Sequence, residues 1–322
     1  MKPIRKIMAC IDLSDYSPMT LEYALGLAKA GKADLVVFSV VHNRNVHPVY
    51  LSDSMYPYQL DTDLQVSRLK EHQESQVVYL IKNDFPNREK EISIEVDVGY
   101  PSETIVNAVE TLGVDLVIMA NKGRSNLSRF MFGSAAEGVF RRCPVPLLSL
   151  RDKEVFRRHP NGEARPAAHE IKTIMAAVDF SPWTDEVLAH AGWLARSLGA
   201  GLKIMNCISE DELDWIKTHF IPRGSFSKSR FLPGEKERRK KMVMDRLGEL
   251  GMDALSELKV TIDSGNPLEQ VLNAVDTEDA DLLVLGPRGR NRSGGFILGS
   301  TIEKLFRHCP VPVMRLGPEL RK

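Results

Sequence analysis

The residues of this chain with the most chemistry in them lie near its end, in GPRGRNRSGGFILGS at 286–300, directly after the apolar run DLLVLG. Gly286-x-x-Gly289 is followed by nine residues and then by Gly299-Ser300. Glycine lets a backbone approach a ligand closely and adopt positive φ. Successive amides in such a turn form a concavity that holds anions. A Gly-Ser pair opening a helix adds free N–H groups and the positive end of a dipole, which suit a phosphate. Arg288, Arg290 and Arg292 supply charge that can pair with phosphate oxygens. The same layout occurs earlier, as Ala120-x-x-Gly123, nine residues, and Gly133-Ser134. An aspartate at the end of the first strand of each copy, Asp12 or Asp179, belongs at the same end of the sheet. A ligand-free reading stays open. Ser134-x-x-Glu137 and Ser300-x-x-Glu303 both fit a capping box, the aspartates can cap turns, and the glycines can serve chain reversal alone.

These elements recur because the chain is written twice. IMACIDLS (7–14) matches IMAAVDFS (174–181), and GYPSETIVNAV (99–109) matches GNPLEQVLNAV (265–275). VDLVIMANKGR (114–124) matches ADLLVLGPRGR (280–290), and FMFGSAAEGVFRRCPVP (130–146) matches FILGSTIEKLFRHCPVP (296–312). Such self-similarity marks duplicated structural units. We expect domains at 1–151 and 171–322, joined by a charged, proline-containing linker at 152–170.

Within each copy, short apolar runs alternate with helical patterns. This predicts an α/β fold, a parallel sheet with helices on both faces. Ser17-Pro18 predicts a helix start with Ser17 as its cap. EISIEVDV alternates apolar and polar residues as an edge strand does. The run EKERRKKM (235–242) reads as a solvated helix face, and the preceding 214–234 as a lid over the second site.

Bulk properties narrow the function. Lys+Arg and Asp+Glu are both 43, so the formal net charge is zero, which argues against a general nucleic-acid binder. No run approaches the ~18 apolar residues of a membrane span. Four cysteines without C-x-x-C spacing suit buried thiols in a reducing cytoplasm. G-x-x-x-x-G-K-[ST] is absent, which excludes a P-loop site. No nucleophile has an evident histidine base. His190 and His308 align with Tyr23 and Arg142, which favours packing and a surface role.

The aspartate after the first strand, G-x-x-G-x9-G-S after the fourth, and C-P-V-P before the last resemble the universal stress protein family in its tandem form. The resemblance covers both copies apart from the linker and the long middle segments. It implies two open parallel five-stranded sheets of order 3-2-1-4-5, the adenine nucleotide alpha hydrolase-like fold. It also implies binding of ATP, ADP or AMP, with Mg2+, at most slow hydrolysis, and a role as a stress-response sensor or adaptor. Carried onto this chain, Asp179 contacts the adenosine, with Val178 and Ile208 facing adenine. Gly286, Arg288, Gly289, Arg290, Gly299, Ser300 and Thr301 hold ribose and phosphates. The first copy's set is Asp12, Ala120, Gly123, Gly133 and Ser134. Ala120 departs from the motif glycine, and its methyl group either crowds the ribose or is absorbed by a small shift. The complete motif therefore puts the emphasis on the C-terminal half. The family's pairing through last strands implies an internal pseudo-dimer, with further association as a homodimer and with protein partners. The alternative is a module that binds a metabolite, lipid or protein, with purely structural loops.

Overall fold

The computed structural model describes residues 3–45, 62–122, 133–151, 170–220, 226–252, 255, 257–288 and 299–317. The chain divides into two compact units between residues 168 and 169. The expected linker, apart from Glu170, falls outside the described residues.

In the N-terminal unit the elements run β1 (Lys6–Ile11), α1 (Ser17–Gly31), β2 (Asp34–His42), α2 (Thr62–Asp84), β3 (Ile92–Gly99), α3 (Pro101–Thr111), β4 (Leu116–Ala120), α4 (Ser134–Arg142) and β5 (Leu147–Leu150). All strand pairings are parallel. β1 lies between β2 and β4, β3 flanks β2, and β5 flanks β4, giving the order 3-2-1-4-5. The burial of each strand follows from its place. β1 and β4 are nearly all buried, whereas β3 at the edge alternates half-buried and exposed positions.

The C-terminal unit repeats the plan with β6 (Thr173–Val178), α5 (Thr184–Leu198), β7 (Gly201–Ile208), α6 (Glu210–Phe220), α7 (Lys228–Glu249), β8 (Lys259–Ser264), α8 (Pro267–Thr277), β9 (Leu282–Leu285), α9 (Ser300–His308) and β10 (Val313–Arg315). Its parallel pairings again place the first strand centrally, β8-β7-β6-β9-β10. This is the adenine nucleotide alpha hydrolase-like fold in both units.

Helix starts differ in detail from the sequence expectation. Helix α1 is capped at Tyr16, so Ser17 is already helical. Helices α4 and α9 are capped at Gly133 and Gly299 with no side-chain bond to the cap. The two capping boxes do not form, because each serine lies one residue inside its helix. Glu137 instead pairs with Arg141 at 3.0 Å.

The solvated reading of 235–242 needs a larger correction. On α7, Glu235, Arg239, Val243 and Leu247 make one buried stripe at four-residue spacing. Only the rest of the charged run faces water. Segment 214–234 is in part the end of α6, which begins upstream at Glu210.

Candidate functional site

In both units the turn after the first strand is held by the same two side chains. Asp12 Oδ1 accepts from the Ser14 amide and Asp179 Oδ1 from the Ser181 amide, each at 3.1 Å. Ser14 and Ser181 then accept from the amides of Tyr16 and Trp183. The residues between, Leu13 and Phe180, sit at φ 60° and 57°. Non-glycine residues reach that region at a cost, so the turn is over-determined by its hydrogen bonds. Sites of ligand contact often store such strain. The turn-capping role of the aspartates is thus present, on one carboxylate oxygen of each.

In the N-terminal unit this turn borders a cavity of about 460 Å³. It lies at the carboxyl ends of β1, β2 and β4, where the strand order reverses from one side of β1 to the other. Open parallel sheets take ligands there. The cavity brings together Asp12, Ala120, Gly133 and Ser134 of the expected set. Gly123 lies outside the described residues. The Gly133 amide donates to Asn121 O at 3.1 Å, which closes the loop between β4 and α4 at its base. Ser134 is exposed at the first turn of α4, beside amides the helix itself cannot satisfy.

Two polar groups in the wall were not singled out from the sequence. Lys122 lines the cavity, and among the described residues no carboxylate pairs with it. Burial, and then the nearby charge of Arg151, hold its ammonium below the usual lysine range. Its alignment with Arg288 was the signal that would have found it. Gln73 reaches in from α2 and donates to Ser39 Oγ at 2.8 Å, while that hydroxyl donates to Ile11 O at 3.0 Å. Apolar wall comes from Phe38 and Val41, and from Cys10. Burial, with a smaller push from Cys143, raises the Cys10 thiol far above its ordinary range, so it presents a neutral surface and no nucleophile.

In the C-terminal unit the expected residues are also at the strand ends. Val178 closes β6 and its carbonyl accepts from Asn206 Nδ2 at 2.8 Å. Ile208 closes β7 and is fully buried. Gly299 caps α9, Ser300 is exposed in its first turn, and Thr301 follows half-buried. Gly289 and Arg290 lie outside the described residues; Arg288 is half-buried beside them. Gly286 has a local reason to be glycine: a Cβ there would come within 3.2 Å of the Trp183 Cβ. Gly286→Ala therefore asks Trp183 to give way by a few tenths of an ångström. We expect it to cost about 1 kcal/mol or less of stability in chemical denaturation, within the range of mild overpacking.

Beneath Asn206 lies a buried charged network. Arg239 Nη1 donates to Asn206 Oδ1 at 3.1 Å and Nε to Glu235 Oε1 at 2.7 Å, and the same guanidinium pairs with Glu212. It lies 5.7 Å from the Phe180 ring centre. Glu235 also takes two bonds from Arg238. Burial alone would raise the Glu235 carboxyl, but the Arg238 and Arg239 bonds outweigh it and hold the group below its ordinary range.

Cys207 is pushed up to about 11 by burial and by Asp263. His190 is buried against the Glu186 carbonyl at 2.8 Å, and His308 is exposed. Among the described residues no group of three or more His, Cys, Asp or Glu is placed to hold a metal, and no helix is long and apolar enough to cross a membrane.

A site at the switch point of a 3-2-1-4-5 sheet, with an aspartate turn on one side and a Gly-Ser helix start on the other, defines a class of fold that binds at its strand ends. The model of the universal stress protein family matches residues 3–151 and 170–316, and the chain belongs to that family in tandem form. A universal stress protein of Thermus aquaticus is 32% identical over 144 residues, covering 45% of this chain and 97% of that protein. One of Mycolicibacterium smegmatis is 46% identical over 50 residues, 16% of this chain and 38% of that protein. Among solved structures, a universal stress protein of Archaeoglobus fulgidus covers 98% of each chain with a TM-score of 0.62 at 21% identity, a likeness of fold.

Proposed function

We propose that this chain binds an adenine nucleotide, ATP or its products ADP and AMP, and acts in the cytoplasm as a nucleotide-dependent stress-response sensor or adaptor read by protein partners. The observation that carries the proposal is the N-terminal cavity, whose volume lies within the range of small-molecule sites. Phe38 and Val41 offer an apolar wall to a base. Asp12 is placed for the ribose hydroxyls. The α4 N-terminus, Gly133, Ser134 and Lys122 face the phosphates. Mg2+ would arrive on the phosphates, its usual mode.

The sequence puts its emphasis on Gly286, Gly289, Gly299 and Ser300 with Val178, Asp179, Ile208, Arg288, Arg290 and Thr301. Our reading places the ligand first at Asp12, Ala120, Gly133 and Ser134, which border the cavity of about 460 Å³, with Gly123 outside the described residues. The close approach that a Cβ at Gly286 would make to Trp183 favours, for the C-terminal loop, the second reading, in which loop glycines are structural and the chain is a binding module for a metabolite, lipid or protein.

Denaturing freshly purified protein and identifying what it releases tests the proposal. An adenine nucleotide in stoichiometric amount is expected. No nucleotide, together with no thermal shift on adding Mg-ATP, overturns it. Lys122→Ala is expected to weaken ATP about tenfold at low salt, the worth of one charge-assisted phosphate contact. Affinity in the unaltered protein should fall as pH rises through the depressed Lys122 pKa, because the ammonium is charged only below it. A pH-independent affinity across the alkaline range would contradict the role of Lys122.

A further inference from the structure

The two units place different chemistry at one and the same position. Ser39 stands opposite Ile11 at the end of β1, and Asn206 stands opposite Val178 at the end of β6. Each side chain donates to that first-strand carbonyl. Each is in turn met by a residue of the long middle helix, Gln73 or Arg239. The helices align at four-residue spacing: half-buried Leu69 and buried Gln73, Val77, Ile81 against buried Glu235, Arg239, Val243, Leu247. In one unit this position is the wall of an open cavity. In the other it is a guanidinium only 2% exposed.

Three surrounding differences all serve that guanidinium. Glu235 stands where Leu69 does and takes its Nε bond. Phe180 stands where Leu13 does and lies against its face. Glu212, on α6, takes its remaining edge. A flat cation bonded at its edges and lying over an aromatic ring meets the same chemical demands as a bound heteroaromatic ring.

We infer that Arg239 is a built-in occupant of the C-terminal pocket, filling the place that the N-terminal unit leaves open under Gln73, so that the two halves are specialised and the chain takes one ligand, in its N-terminal unit. The identity of that ligand rests on the nucleotide reading above; the occupied pocket does not.

The test is a triple variant in which Glu235→Leu and Arg239→Gln copy Leu69 and Gln73 of the open unit and Glu212→Gln removes the third charge, so that none is left buried alone. Calorimetric titration with Mg-ATP is expected to give one site per chain in the unaltered protein and two in the variant. Two sites in the unaltered protein, or one in both, overturn the inference. No binding by either protein overturns the nucleotide reading alone. The nucleotide-free crystal structure of the variant then decides the pocket. A water-filled cavity between Phe180 and Asn206 upholds Arg239 as its occupant, and a collapsed, dry contact there rejects it. Thermal denaturation of the variant confirms that it is folded in either case.

Discussion

Arg239→Ala alone is expected to destabilise the C-terminal unit by about 3–5 kcal/mol, the usual effect of breaking a buried ion pair from one side. The guanidinium is buried with Glu235, and Glu212 holds its other edge. Truncation leaves both carboxylates beside apolar surface. Glu235 keeps Arg238 as a partner, but that side chain is 60% exposed, so the remaining pair offsets the loss only in part. Urea denaturation followed by a probe in the C-terminal unit should show its transition at lower urea than in the unaltered protein. A double variant Arg239→Ala, Glu235→Ala should cost less than the sum of the singles, since the two groups share one network. A loss below about 1 kcal/mol for Arg239→Ala would mean the network is solvated and would contradict its burial. The acid limb of the stability profile carries the same signature. The Glu235 carboxyl is depressed in the folded state, so its contribution is present above the ordinary carboxylate range and is lost as pH falls through the folded value. Glu235→Gln should flatten that limb.

Gly133→Trp is the second change with a large expected effect. Gly133 has φ −63° and ψ 133°, a backbone any residue adopts, so the substitution carries no backbone strain. It lines the cavity at the start of α4, where the phosphates are placed in our proposal. An indole there should weaken ATP by at least about 100-fold, on the order of 2.7 kcal/mol. The melting temperature should shift by only a few degrees. Retained affinity in a folded Gly133→Trp protein would move the nucleotide away from this cavity.

Much of the fold is legible in the residues. Repeated segments such as IMACIDLS and IMAAVDFS announce two units, and continuous apolar strands beside one alternating strand announce central and edge positions. The aspartate turns and the glycine-serine helix starts are legible as well, because short motifs impose local backbone geometry. The buried charges were not. Glu235 and Arg239 sit inside EKERRKKM, where a four-residue spacing of charged residues looks the same whether the stripe faces water or a sheet. Only the strand end opposite, with Asn206 and Phe180, decides the matter, and that is a long-range contact. Gln73 was hidden for the same reason. At α4 and α9 the cap is the glycine before the serine, in extended backbone, a one-residue shift that the Gly-Ser pair does not reveal in sequence. Gly123, Gly289 and Arg290 remain expectations, since they lie outside the described residues.

The central claim is that a nucleotide enters the N-terminal cavity. A crystal structure grown with Mg-ATP tests it most directly. We predict density for the base against Phe38 and Val41, the ribose at Asp12, and phosphates at Lys122, Gly133 and Ser134. Nucleotide bound only beside Asp179 and Gly299, or no nucleotide in either unit, would contradict the account.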